Sequence, residues 1–455
     1  MTNSNLNQKG LAGSLNGGLV EITGELYNRT TLPSGLNVVS LRMPYRRGVV
    51  LGLVCRVGSR KDPKDAKGMA HLIEHMLFKG TRNRDAFALS RAIERLGGNI
   101  DAYTTREETA IWSHIMSEHI ESAIEIISDM FRFSLFDPNE IEKEKQVIIE
   151  EMNDVEDTPA QKISDIFPHI IWGTHPLAYP ILGTMKGLKR IDRLSLLNFF
   201  SSHYTLSNSF FVAVGGVEHQ ELVDLVQKWL NASDVSATQT AKQKKPNLLN
   251  SGSFFIVDKK TVQSNVIVGT EVFPYSDRRR YPFILLDTIL GKGASSRLFQ
   301  RLREEAGLVY TVYPFAEFFV DCGLYGIYIA TETDLVAKAM RILHSELANL
   351  SKSLTQTELE EAKTLVRGRA LLESEGILFQ FNRVTENEIL LNRYIPLEEE
   401  LSAIEAVSLD EVRGLASEFL APQNLTGVIL GEKPYEWDSM LWGELKMFNY
   451  EDFED

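Results

Sequence analysis

Cysteine is nearly absent. Only Cys55 and Cys322 occur in 455 residues, far apart and each in an apolar, strand-like context, which argues against a disulfide framework and makes reducing cytoplasm the expected compartment. Long hydrophobic runs are missing as well. No stretch reaches the roughly 18 apolar residues of a membrane helix, and the segment Met1 to Leu6 lacks the basic and apolar regions of an export signal. Neither membrane insertion nor secretion is expected. Positive charge is in deficit, with 48 Lys and Arg against 62 Asp and Glu and a net charge of -14. Such a chain repels phosphate backbones and anionic lipid, so no nucleic-acid partner is expected, whereas basic peptides would be drawn in if the acidity lines a cavity. No Gly-x-x-x-x-Gly-Lys run precedes a helix, so Gly293 and Gly307 read as turn and helix-end glycines rather than phosphate binders.

What is present is the composition of a folded protein, 44% hydrophobic and 24% charged, long enough for two to four domains or subdomains. Residues 1–17, rich in Asn, Gly and Ser, are expected to form a mobile leader, with structure beginning near Leu19. The polar stretch over residues 236–251 has no apolar face and reads as a connector, taken as a linker over 238–251. It separates two nearly equal parts, residues 18–237 and 252–434, which repeat one order of elements.

In the first part, strands over Leu36 to Pro44 and Val49 to Val57 precede a helix from about Met69 and a second helix ending at Gly97-Gly98. Strands over Asn99 to Thr105 and Thr109 to His114 follow. The second part gives strands Phe254 to Val257 and Asn265 to Val272, helices Pro282 to Leu290 and Ser296 to Glu304, then strands Val309 to Phe318 and Gly323 to Thr331. Long helical patterns, Glu118 to Phe133 and Leu335 to Leu350, come next in each. The expected fold is α+β: two homologous, duplicated domains, each a mixed or antiparallel sheet packed with helices. The last strand is expected at Leu425 to Leu430, leaving residues 435–455 as an acidic and aromatic tail, either a docked helix or loose.

The most informative run is His71-Leu72-Ile73-Glu74-His75. Positions i and i+4 of a helix lie about 40° apart around the axis, so both imidazoles face one way and can grip one metal. Glu74, close to the same face, can accept a proton from an attacking water without being a ligand. The order is the inverted zinc motif His-x-x-Glu-His. A catalytic zinc needs a third protein ligand and an open position. The helical segment from Glu142 to Glu151 offers carboxylates, with Glu144, Val147, Ile148 and Glu151 on one stripe. Helix geometry leaves both Glu150 and Glu151 open, and the stripe shared with Glu144 favours Glu151. Carboxylates set in an apolar stripe are costly unless a cation meets them. The other seven of the nine histidines have no such company.

The run from Gly68 to Thr81 resembles the active-site helix of the pitrilysin, insulysin and mitochondrial processing peptidase family of zinc metallopeptidases. The resemblance extends from about residue 30 to 430, and the chain's length matches the shorter, processing-peptidase branch. It implies one zinc ion per chain, held by His71, His75 and Glu151, with Glu144 supporting the ligands and Glu74 as the catalytic base. It implies an endopeptidase acting on extended peptides or unfolded segments, working as a homodimer or as a heterodimer with a related chain. Gly98 to Thr104 resembles the family's substrate-binding edge strand, which puts Asp101 and Ala102 at the substrate; Asp101 stands where the family usually has Asn. Gly293 to Phe299 and Leu302 to Tyr310 resemble its second signature, which implies that Arg303 and Tyr310 bind substrate and steady the developing oxyanion. Non-catalytic structural subunits also belong to the family, but they usually lose zinc ligands, and here all of them are present.

Overall fold

The computed structural model describes residues 26–230 and 244–449. The leader, the start near Leu19, linker residues 238–243 and the final residues 450–455 lie outside this range.

The described chain forms two six-stranded sheets. The first contains β1 (Tyr27–Thr31), β2 (Asn37–Arg42), β3 (Gly48–Cys55), β4 (Asn99–Thr104), β5 (Thr109–Met116) and β6 (Ser209–Gly215), in the order β1-β2-β6-β3-β5-β4. The second contains β7 (Phe254–Asp258), β8 (Ser264–Val272), β9 (Thr311–Phe318), β10 (Gly323–Thr331), β11 (Thr426–Gly431) and β12 (Leu445–Met447), in the order β12-β7-β11-β8-β10-β9. Five strands repeat with the same directions: β2 runs parallel to β6 as β7 does to β11, and the remaining pairs are antiparallel. The duplication and the mixed sheets are thus features of the fold.

The outer strands break the repeat. β1 adds antiparallel to β2, ahead of it in the chain, whereas β12 adds parallel to β7 from the C-terminal end. The last strand is therefore β12 and not the one expected at Leu425 to Leu430. The tail docks through it and through a short helix, Ser439–Trp442, whose buried Trp442 lies 4.8 Å from the Phe254 ring and donates from Nε1 to the Met340 carbonyl.

β3 and β6 are buried along nearly their whole length, as strands covered on both faces must be. One face of the first sheet carries α1 (Met69–Met76), α2 (Ala86–Glu94), α3 (Ile120–Phe133) and α4 (Pro138–Glu156). The other face is covered by a helix of the second half, Ile377–Leu391, through Phe381, Val384 and Ile389. The exchange is reciprocal. α5 (Pro159–Trp172), from the first half, lays Ile163, Ile166, Phe167 and Ile170 against Ile267, Leu324 and Val428 of the second sheet.

Polar contacts fix the exchanged helices. The fully buried Glu388 accepts from the Tyr27 hydroxyl at 2.6 Å and pairs with Arg29 at 3.2 Å, and Trp172 Nε1 donates to Glu271 at 2.8 Å. Between the halves lies a crevice of about 1020 Å³, lined among others by Tyr103 of β4, Glu108 of the turn after it, Glu317 of β9 and Glu386 of the helix Ile377–Leu391. Among the described residues no helix is long and apolar enough to cross a membrane. Cys55 and Cys322 are both buried free thiols, and burial pushes Cys55 up to about 12.

Candidate metal centre

α1 is short, and its sequence fixes which side faces the core. Met69, Leu72, Ile73 and Met76 are buried, leaving His71, Glu74 and His75 on the opposite, half-buried side. Its first turn is held from outside the helix, where the buried Asp62 carboxylate accepts from the Gly68 and Ala70 amides at 2.8 and 2.9 Å. Gly68 has φ 96°, and a Cβ there would meet the Leu182 carbonyl at 2.6 Å, so only glycine fits this entry into α1.

α4 starts at Pro138, with the Asp137 side chain accepting from the Asn139 amide at 2.8 Å, and packs against α1. Of the two candidate carboxylates, Glu150 is exposed and Glu151 turns toward the histidines. The His71 and His75 Nε2 atoms lie 3.9 and 3.8 Å from the two Glu151 oxygens, too far for hydrogen bonds. Ligand atoms from all three residues fall within 4.8 Å of one another. That spacing suits three donors around one ion with bonds of about 2.0–2.2 Å, and two imidazoles with one carboxylate are a donor set that zinc accepts. Burial, with His75 nearby, pushes His71 down to about 4, so the ring is neutral and has a lone pair to donate. The residues present therefore fit a zinc ion.

Glu144 is buried behind the histidines. Its Oε2 lies 3.1 Å from His75 Nδ1, which leaves Nε2 free to face Glu151, and its Oε1 accepts from Lys79 Nζ at 2.7 Å. Lys79 is the cation that the buried Glu144 requires, whereas Glu151 faces the two imidazoles. Sequence reasoning missed Lys79, although a lysine four residues after His75 was the available signal. Glu74 stands beside the site with Oε2 buried and unpartnered. Burial raises its carboxyl above the ordinary value, while Thr104 on β4 and the nearby His75 pull it back down.

The remaining sequence-predicted residues are not part of this cluster. Asp101 and Ala102 sit on β4, an edge strand, with Asp101 exposed and Ala102 half-buried. Arg303 lies in the π-type turn Phe299–Glu305 with its guanidinium 4.9 Å over the Phe299 ring, and Tyr310, immediately before β9, is 72% exposed. Among the described residues neither has a hydrogen bond or ion pair to His71, Glu74, His75 or Glu151.

Residues 37–185 match the family model described as Insulinase (Peptidase family M16), and residues 190–366 match the one described as Peptidase M16 inactive domain. His71, Glu74, His75, Glu144 and Glu151 all lie in the first span, and the second contains no His-x-x-Glu-His run. An uncharacterized zinc protease of Streptomyces coelicolor is 32% identical, with 88% of this chain and 89% of that protein aligned. The uncharacterized zinc protease YmxG of Bacillus subtilis is also 32% identical, over 86% of this chain and 95% of its own. A crystal structure of a protease from Helicobacter pylori shares the fold, with a TM-score of 0.83 at 21% identity over 89% of this chain and 99% of that one. On these matches the chain belongs to the insulinase family, peptidase family M16, whose similar members carry the name zinc protease.

Proposed function

We propose that this chain is a zinc metalloendopeptidase that hydrolyses peptide bonds in extended peptides or unfolded segments. The observation that carries the reading is the convergence of His71, His75 and Glu151 within 4.8 Å beside the unpartnered oxygen of Glu74. Bound there, one zinc ion per chain would supply Lewis acidity toward water and the scissile carbonyl. Glu74 takes the proton from the attacking water and passes it to the departing amine. Glu144, clamped by Lys79, holds the His75 ring in orientation.

The substrate lies along β4. Thr105 N donates to Glu108 O at 2.8 Å where β4 meets β5, and strict alternation from that pair turns the amides and carbonyls of Ile100, Ala102 and Thr104 to the free edge. A peptide added there is held by main-chain bonds, which a folded segment cannot offer. The corresponding edge of the second sheet is less suitable. Phe319 N donates to Cys322 O at 2.8 Å, so the same alternation turns the nitrogen of Pro314 outward on β9, and proline has no hydrogen to donate. Thr104 links the β4 edge to Glu74.

Arg303 and Tyr310, exposed and, among the described residues, without a hydrogen bond or ion pair to the metal residues of their own chain, serve the site of a second protomer, a copy of this chain or a related one. Purified protein incubated with a mixed peptide library is expected to yield fragments that vanish on zinc chelation and return on zinc addition. Chelator-insensitive cleavage, or none, would overturn the reading. Combining Arg303→Ala with Tyr310→Phe is expected to lower kcat/KM by at least about 10-fold, through loss of donors to the developing oxyanion. Full activity of a dimer carrying both changes would remove the role assigned to that pair.

A further inference from the structure

Asp101 does more than occupy the edge strand. Its Oδ1 accepts from the Ala102 amide at 2.8 Å. That amide points to the free edge of β4, so the side chain caps the donor that an added peptide strand needs. A peptide carbonyl must displace the carboxylate to bind, exchanging a charge-assisted hydrogen bond for a neutral one.

The freed carboxylate then needs a partner, and its surroundings decide which kind. Asp101 shares its face of the sheet with Tyr103, two residues on, and with its cross-strand neighbour Trp112. Both line the crevice between the halves, where five glutamates, Glu107, Glu108, Glu317, Glu386 and Glu400, outnumber the three arginines. The arginines are engaged already: Arg106 pairs with Glu317 at 3.2 Å, and Arg280 and Arg383 pair with Glu400 at 3.3 and 2.8 Å. The Glu108 and Glu386 carboxylates instead accept from the hydroxyls of Tyr103 and Tyr275, at 3.0 and 3.2 Å. Glu107 is held by Arg60 at 2.6 Å, and among the lining residues no guanidinium is free to pair with Asp101, so the released carboxylate needs a cation from the peptide.

We propose that Asp101 gates the substrate edge and selects for a basic side chain. It releases the Ala102 amide when a Lys or Arg of the incoming strand, on the crevice-facing side, pairs with it. The proposal rests on the peptidase reading for its substrate class and adds the side-chain preference at one position.

Two 12-residue, proline-free peptides identical except for one Lys or norleucine, with that position scanned along the sequence, provide the test. Their binding to zinc-loaded Glu74→Gln protein is measured by fluorescence anisotropy, with Asp101 intact, as Asp101→Ala and as Asp101→Asn. With Asp101 intact, Lys at one position is expected to bind about 10-fold more tightly than norleucine. Asp101→Ala should abolish the difference and tighten the norleucine peptide several-fold, because the edge amide is left open. Asp101→Asn, which keeps an acceptor oxygen but not the charge, should abolish the difference without that tightening. Equal binding of the two peptides with Asp101 intact, a preference that survives in Asp101→Ala, or no binding of either peptide would overturn the proposal. Peptides bound with the preference but left uncut by wild-type protein would count against the peptidase reading alone; peptides cut without preference would count against Asp101 alone.

Discussion

Glu74→Gln is expected to bind zinc at close to one ion per chain and to lose at least about 10²-fold in kcat. The amide has nearly the size of the carboxylate, so the packing of α1 should survive. His71, His75 and Glu151 keep the spacing that suits the metal. What the amide cannot do is accept a proton, and the buried, unpartnered oxygen of Glu74 is the nearby group placed to accept one. Metal analysis and turnover on the same sample separate the two effects. Unchanged turnover in a metal-replete variant would refute the assigned base.

Arg60→Ala is expected to cost about 3–5 kcal/mol of stability, the range for removing one partner of a buried ion pair. Arg60 is only 4% exposed and sits in a short turn, Ser59–Lys61, just before the Asp62 that holds α1. Its guanidinium bonds Glu107 at 2.6 Å in the first half and Asp321 at 2.9 Å in the β9–β10 hairpin of the second. The Val320 amide closes the group by donating to Glu107 at 3.0 Å. Without Arg60 two carboxylates face each other with no cation between them, at the junction that sets the second half against α1. Denaturant unfolding followed by both fluorescence and circular dichroism should show an earlier midpoint and loss of coincidence between probes as the halves uncouple. An unchanged, single transition would contradict the structural role.

The two imidazoles and Glu74 were legible because a helix has one period, and a spacing of four residues decides which side chains meet. The duplicated sheets were legible for a similar reason, since alternating and continuous apolar runs recur in the same order in both parts. The third carboxylate was harder, because Glu150 and Glu151 are neighbours and only packing of α4 on α1 turns one inward and the other out. What covers the first sheet's second face was not legible at all. The run Gly48 to Cys55 says that both faces are buried but not that the cover, Ile377–Leu391, comes from more than 300 residues away. β12, three residues long, carries too short a pattern to be read as a strand, and its place beside β7 depends on Trp442 being buried. The Asp101 cap on Ala102 depends on which strand lies at the sheet edge, a property of topology rather than of local sequence.

Zinc K-edge absorption spectroscopy on protein loaded with one equivalent of zinc reads the proposed ligand set directly. Two imidazole nitrogens and one carboxylate oxygen at about 2.0–2.2 Å, with the oxygen signal changed by Glu151→Gln and the imidazole scattering halved by His75→Ala, is the expected result. A protein that binds no zinc, a sulfur shell near 2.3 Å, or a spectrum indifferent to residue 151 would contradict it.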